Sequence, residues 1–187
     1  MPSTPRLVET LKRSPIIRLK GYDYFVHPIT DGIPRLEPKL LEEVVDALVK
    51  KLPKSFDVIL TPEAMGIPIS SVLSLRTGKP FTVARKRAYG TPGEIVVAQR
   101  TGYGASLLHV HGLAKGDRVV IVDDVVSSGG TLHALGEACR QIGVDLVRAL
   151  VVINKGHDLA ELSQRLGCPV ECLITLRIIN GHVQLET

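Results

Sequence analysis

Short apolar runs alternate along this chain with longer stretches in which apolar residues recur at helical spacing. The clearest run is Val119-Val120-Ile121-Val122, β-branched throughout, which reads as a strand buried on both faces. Asp57–Thr61, Phe81–Ala84, residues 107–110 and Leu146–Ile153 read as further strands. Between them, Leu40, Leu41, Val44, Val45, Leu48, Val49 and Leu52 mark one face of a helix that opens at Glu37-Pro38, where proline is tolerated in the first turn. Further helices are expected from Pro62–Pro68 through Leu75, over 130–142 and over 157–167. The first twenty residues give a weak amphipathic helix (Leu7, Val8, Leu11) that ends before Ser14-Pro15, followed by an extended Ile16–Leu19. This alternation predicts an α/β fold, with a mostly parallel central sheet flanked by helices.

Composition narrows the picture. A chain of 187 residues, 44% of them hydrophobic, is long enough for one well-buried core, so a single domain over 1–187 is expected. The net charge of +4 is a modest surplus with no basic tail, which makes nucleic acid an unexpected partner and a small polyanion a sufficient one. Cys139, Cys168 and Cys172 are odd in number and lack a second metal-binding pair, so buried free thiols in a reducing cytoplasm are expected. No apolar run is long enough to span a bilayer and no signal-peptide stretch is present, so no membrane association is expected.

The candidate chemistry begins where the Val119–Val122 run meets Asp123 and Asp124. The pair is expected to surface at the carboxyl end of its strand, the rim along which open α/β sheets bind ligands. Ser127, Ser128, Gly129, Gly130 and Thr131 follow, offering hydroxyls and unobstructed N–H groups at the start of a helix, a ready anion site. Carboxylates suit vicinal sugar hydroxyls and the loop suits a monophosphate, so together they ask for a phosphorylated sugar.

An apolar strand, Asp-Asp, two residues and Ser-Ser-Gly-Gly-Thr resembles the phosphoribosyl-pyrophosphate motif of the type I phosphoribosyltransferases, purine branch. The resemblance implies the type I fold, with a small hood built from about 1–35 and 168–187. It also implies that Asp123 and Asp124 hold the ribose hydroxyls and that Ser127, Ser128, Gly129, Gly130 and Thr131 hold the 5′-phosphate. Pro62-Glu63-Ala64-Met65-Gly66 resembles the pyrophosphate loop of the adenine and xanthine enzymes. The amides of Ala64, Met65 and Gly66 would face pyrophosphate, with Glu63 orienting the loop unless an arginine or Mg²⁺ intervenes. Arg85-Lys86-Arg87 would neutralise the leaving group, Arg85 and Lys86 being the catalytic candidates. The glycine- and proline-bearing loop that follows, within about 85–104, resembles a mobile loop that closes over the site.

Tyr24 and Phe25, from the aromatic cluster of Gly21–Pro28, and Val125 are the candidates for packing on the purine. The alternative for the two rings is a local apolar mini-core. Lys155, just past a strand in Asn154-Lys155-Gly156, matches the lysine that donates to the oxygen of 6-oxopurines, which favours hypoxanthine or guanine over adenine. The chain departs from common hypoxanthine–guanine enzymes in having Ser127 where they carry an aspartate. It departs from adenine enzymes in having no acid near Thr101-Gly102-Tyr103. The proton-transfer group is therefore open between Glu94 and ordered water. Over nearly its full length the chain most resembles archaeal-type hypoxanthine phosphoribosyltransferases. That resemblance implies phosphoribosyl pyrophosphate and a purine as substrates, Mg²⁺ held through substrate and water with no direct protein ligand, and a homodimer or larger homo-oligomer. Two alternatives stay open: adenine salvage, and a sensor of phosphoribosyl pyrophosphate that has lost turnover.

Overall fold

The computed structural model describes residues 4–19, 21–101 and 104–186. In chain order the elements are α1 (Pro5–Lys12), β1 (Ile16–Leu19), β2 (Tyr22–Phe25), α2 (Pro28–Asp31), α3 (Pro38–Val49), β3 (Val58–Pro62), α4 (Gly66–Thr77) and β4 (Phe81–Ala84). They continue with β5 (Ile95–Thr101), β6 (Gly104–Val110), β7 (Arg118–Val126), α5 (Gly130–Ile142), β8 (Asp145–Asn154), α6 (Leu159–Leu166), β9 (Val170–Ile179) and β10 (His182–Glu186). The central sheet has six strands in the order β10-β9-β8-β7-β3-β4, parallel except for the antiparallel β9–β10 pair.

The expected two-sided burial of the central strand is what the sheet shows. Val119 and Ile121 point into one core with α5 and α6, while Val120 and Val122 point into the other with α1, α3 and α4. All four are fully buried. Each side chain of this size contributes about 1.5–3 kcal/mol on burial, so a four-residue run that faces inward on both sides fixes the strand at the centre of the sheet. On the second face, Leu7 and Leu11 stand one helical turn apart and are both buried, which docks the N-terminal helix. His27 is fully buried and bonds Thr10 Oγ1 at 2.9 Å, linking α1 to the start of α2, and burial lowers its pKa to about 4 against the pull of Asp31.

Two expectations change. Residues 107–110 belong to the antiparallel β5–β6 hairpin, outside the central sheet. Its pattern is one-sided: Val97 and Leu108 are buried while Val96 and Leu107 are 45% and 51% exposed, the period of a strand with a wet face. The helix expected over 157–167 starts at Leu159, because the Asp158 side chain accepts from the amides of Ala160 and Glu161 and caps it. The β1–β2 hairpin forms a sheet of its own, whereas β9 and β10 are continuous with the central sheet.

Ile121→Ala, which empties a fully buried site in the middle strand, should cost about 2–5 kcal/mol in urea denaturation. Leu75→Ala, at a position 84% exposed, should stay within about 0.5 kcal/mol of the parent.

Candidate active site

From β3 the chain crosses to β4 on one side, and from β7 it crosses to β8 on the other. The carboxyl ends of β3 and β7 therefore flank a topological switch point, where a crevice opens between loops that leave in opposite directions. Both candidate anion loops lie there. The turn after β7 ends at Gly129, whose φ of 73° and position as the residue capping α5 need glycine. A Cβ at Gly129 would meet Leu162 Cδ2 at 2.9 Å and His157 Nε2 at 3.2 Å. Ser127 and Ser128 are exposed on this turn, and no side chain caps the first turn of α5. Its leading N–H groups thus retain the capacity to bind an anion.

The turn after β3 is held more tightly. A Cβ on Gly66 would lie 2.2 Å from Thr61 Oγ1, 3.3 Å from the Val122 carbonyl oxygen and 3.5 Å from Asp123 Oδ1. Thr61 Oγ1 donates to that same carbonyl at 2.8 Å, so the start of α4 presses directly on the top of β7. The Glu63–Ala64 peptide bond is cis, Ala64 is exposed and Met65 is half-buried. The expected intervening arginine is present: Arg85 Nη1 lies 3.1 Å from Glu63 Oε2, and the Lys86 amide donates to Glu63 Oε1 at 3.0 Å. Glu63 thus ties its loop to the Arg85–Arg87 segment. Lys86 and Arg87 remain exposed beside it.

The acidic pair does not lie at an exposed strand end as expected. β7 runs through Asp123 and Asp124 to Val126, Asp123 is only 4% exposed and Asp124 is half-buried. The strand continues because β8 extends beside it and pairs Val125 with Ile153 and Val126 with Asn154. The Asp124 amide donates to Asp123 Oδ1 at 2.8 Å. Burial pushes the Asp123 carboxyl up to about 6 against these hydrogen bonds. Burial, the Asp123 charge and Asp31 raise Asp124 well above the carboxylate range. Among the described residues neither carboxylate has a cationic partner, and no three His, Cys, Asp or Glu side chains form a metal cage. Such a donor set suits a hydrated divalent cation that brings water and phosphate oxygens as its other ligands.

A cleft of about 460 Å³ opens beside the β7–α5 turn. Ser127 and Ser128 line it together with Lys155, which follows β8, with Tyr22 and Asp23 of β2, and with Arg177 of β9. Lys155 Nζ donates to the Asp23 carbonyl at 3.1 Å and sits 5.7 Å from the Tyr24 ring centroid and 5.9 Å from that of Phe25. Partial burial lowers its pKa, with Asp23 acting in the opposite sense. The two rings singled out in the sequence do not line this cleft. Phe25 is 3% exposed within the core, and Tyr24 donates its hydroxyl to Asp31 Oδ1 at 2.6 Å. They act on the cleft through Lys155, whose ammonium they face. Val125 packs against the same core as Phe25 and is likewise absent from the cleft lining.

Glu94, a proton-transfer candidate, is engaged within its own loop and with two histidines. It accepts from the amides of Tyr89 and Gly90, both at 3.2 Å, and stands 3.0 Å from His109 Nδ1 and 3.2 Å from His111 Nε2. It closes its own loop onto β6. Gly102 and Tyr103, within the expected mobile segment, lie outside the described residues. Tyr22, Asp23 and Arg177 were not singled out by sequence reasoning. Alternation along β2 carried a signal, since Tyr22 and Asp23 belong to the same run as Tyr24 and Phe25, but only the β8–β9 pairing brings Arg177 alongside.

Comparison with known proteins matches these features to a family. The sequence model of the phosphoribosyl transferase domain matches residues 36–185. The chain belongs to the phosphoribosyl transferase family. Within it, the hypoxanthine/guanine phosphoribosyltransferase of Methanothermobacter thermautotrophicus is 49% identical over 181 residues, 97% of this chain and 94% of that protein. The protein of the same name from Methanosarcina acetivorans is 44% identical, over 97% of this chain and 95% of its own length. In shape, this phosphoribosyl transferase matches the adenine phosphoribosyltransferase of Saccharomyces cerevisiae, solved with adenine, at a TM-score of 0.75 and 24% identity, covering 91% and 98% of the two chains. It matches the Giardia lamblia enzyme, solved with 9-deazaadenine, at a TM-score of 0.77 and 18% identity, over 94% and 98% of the chains. At that identity the structural likeness shows the type I fold alone.

Because the folded state penalises the ionised Asp124, the protein loses stability as pH rises from the ordinary 3.8 through the raised folded value. Asp124→Asn should therefore raise the melting temperature at pH 8 by about 2–4 °C, a gain that fades as the pH falls below about 4. A melting-temperature series from pH 4 to pH 8 measures it.

Proposed function

We propose that the chain transfers the 5-phosphoribosyl group from phosphoribosyl pyrophosphate to hypoxanthine or guanine, giving the nucleoside monophosphate and pyrophosphate in purine salvage. The observation that carries this reading is one cleft in which the phosphate-loop residues Ser127 and Ser128 stand with Lys155. That arrangement accepts a sugar phosphate at one end and a 6-oxo group at the other. The relatives named hypoxanthine/guanine phosphoribosyltransferase support the same base class.

In this reading the 5′-phosphate sits on Ser127, Ser128, Gly129, Gly130 and Thr131, held by amides and hydroxyls at the start of α5. Asp123 and Asp124 accept from the ribose hydroxyls and favour positive charge as the anomeric carbon gives up pyrophosphate. A purine ring nitrogen forms the new bond to that carbon as the bond to the pyrophosphate oxygen breaks, and the proton that nitrogen carried passes to water. Arg85 and Lys86, already tethered to Glu63, neutralise the departing oxygens beside the amides of Ala64, Met65 and Gly66. Magnesium bound through pyrophosphate oxygens and water would add charge stabilisation next to the two carboxylates. Lys155 turns from the Asp23 carbonyl to the purine oxygen, with Tyr24 and Phe25 steadying its ammonium.

The whole chain acts as one domain, with 1–35 and 168–187 forming the hood, in the cytoplasm and as a homodimer or larger assembly. Cys139 and Cys168, buried with thiol values pushed up by burial to about 12 and about 11, fit a reducing compartment.

Purified protein supplied with phosphoribosyl pyrophosphate, Mg²⁺ and each purine in turn tests the reading. Hypoxanthine and guanine should turn over and adenine should be poor. Turnover with adenine alone overturns the base assignment, and binding without turnover marks a sensor. Asp123→Asn/Asp124→Asn should lower kcat by about 10²-fold or more while leaving the protein folded. Lys155→Ala should raise the KM for hypoxanthine by about tenfold while leaving that for phosphoribosyl pyrophosphate unchanged.

A further inference from the structure

Gln99 projects from β5 into the space between the β5–β6 hairpin and the start of α5. It is 7% exposed, and its amide is engaged at both ends. Nε2 donates to Thr131 Oγ1 at 2.7 Å, and Ser106 Oγ, its cross-strand neighbour on β6, donates to Oε1 at 2.8 Å. Val97 on the same face of β5, with Leu108 and Val110 on β6, packs into the core that also holds Leu132 and Leu135 of α5. The hairpin therefore rests on the helix whose first turn forms half of the phosphate loop.

A threonine hydroxyl has one hydrogen to give and lone pairs to receive with. Thr131 Oγ1 receives from Gln99, so its hydrogen points elsewhere, and among the described residues no protein group accepts it. Thr131 is the second residue of α5, within the turn whose N–H groups face the crevice. A phosphate oxygen there completes the hydroxyl's hydrogen bonds.

We propose that Gln99 is a positioning residue for the sugar phosphate: by donating to Thr131 it holds that hydroxyl as a donor to the 5′-phosphate, and so couples the seating of the hairpin to occupancy of the phosphate loop. The inference rests on the assignment of Ser127–Thr131 as the phosphate site and adds to it a residue from outside the motif. A bound phosphate tightens the Gln99–Thr131–phosphate chain, and a displaced hairpin lets the hydroxyl turn away. The segment that starts at Arg85 is thereby linked to the far end of the same substrate, since Arg85 exchanges backbone hydrogen bonds with His109 on β6.

The experiment measures ribose 5-phosphate binding by calorimetry, together with the KM values for phosphoribosyl pyrophosphate and hypoxanthine. Gln99→Glu, nearly isosteric, turns the donor into an acceptor that captures the Thr131 hydrogen. It should weaken ribose 5-phosphate binding and raise the phosphoribosyl pyrophosphate KM by about tenfold or more, with the hypoxanthine KM unmoved. Gln99→Leu, which frees the hydroxyl to turn, should cost less than Gln99→Glu, the reverse of what loss of packing alone predicts. Thr131→Val removes the hydroxyl on which both Gln99 and the phosphate depend and should show the loss by itself, while Thr131→Ser, which keeps the hydroxyl, should bind like the parent. In the Thr131→Val background, Gln99→Glu should add less than about threefold, because only its charge still acts. Equal effects of Gln99→Glu and Gln99→Leu overturn the proposal, as does full additivity with Thr131→Val. If the parent protein binds no ribose 5-phosphate, the phosphate-loop assignment itself is wrong and the inference falls with it.

Discussion

Two carboxylates set into the central strand, with no protein cation against them among the described residues, are the constraint around which this fold is arranged. A strand held on both faces by apolar packing tolerates such a pair only where the sheet opens toward a crevice. The switch point between β3 and β7 supplies that opening, and glycine at 66 lets the start of α4 approach it closely, while glycine at 129 lets the start of α5 pack against Leu162 and His157. The cost of keeping the pair there is met by the packing of the four apolar residues that precede it. The cations near the crevice, Arg85 and Lys155, are held by other groups, Glu63 and the Asp23 carbonyl.

The sequence made the centre of the molecule legible and its periphery less so. Val119–Val122 announced a two-faced strand because every position in it is β-branched, and the Ser-Ser-Gly-Gly-Thr turn announced an anion site because its chemistry is local. The strand's continuation through Asp123 and Asp124 was not legible, since polar residues ordinarily end a buried run and only the neighbouring β8 extends this one. Tyr24 and Phe25 looked like a stacking platform. Their places were settled by the core that receives Phe25 and by Asp31, which receives the Tyr24 hydroxyl, contacts that lie outside the run itself. Arg177 had no local signal, because its place depends on which strand pairs with β8.

The segment between β4 and β5 is tied down by one carboxylate. Burial works against the ionised Glu94, yet the amides of Tyr89 and Gly90 and the two imidazoles leave its carboxyl below the usual range. The loop is thus closed by its own amides and by histidines of the adjoining hairpin. At its start, Glu63 holds Arg85, so the cations stand beside the β3 turn before any anion arrives. Gln99 performs a comparable task at the other loop, with a neutral amide in place of an ion pair.

The cleft draws Tyr22 and Asp23 from the second strand and Arg177 from the ninth, while Ser127, Ser128 and Lys155 come from the middle of the chain. In chain order only Arg177 and Ile178 of the lining come after Lys155, so the cleft is walled on its last side by the ninth strand, which pairs with β8 beside the lysine.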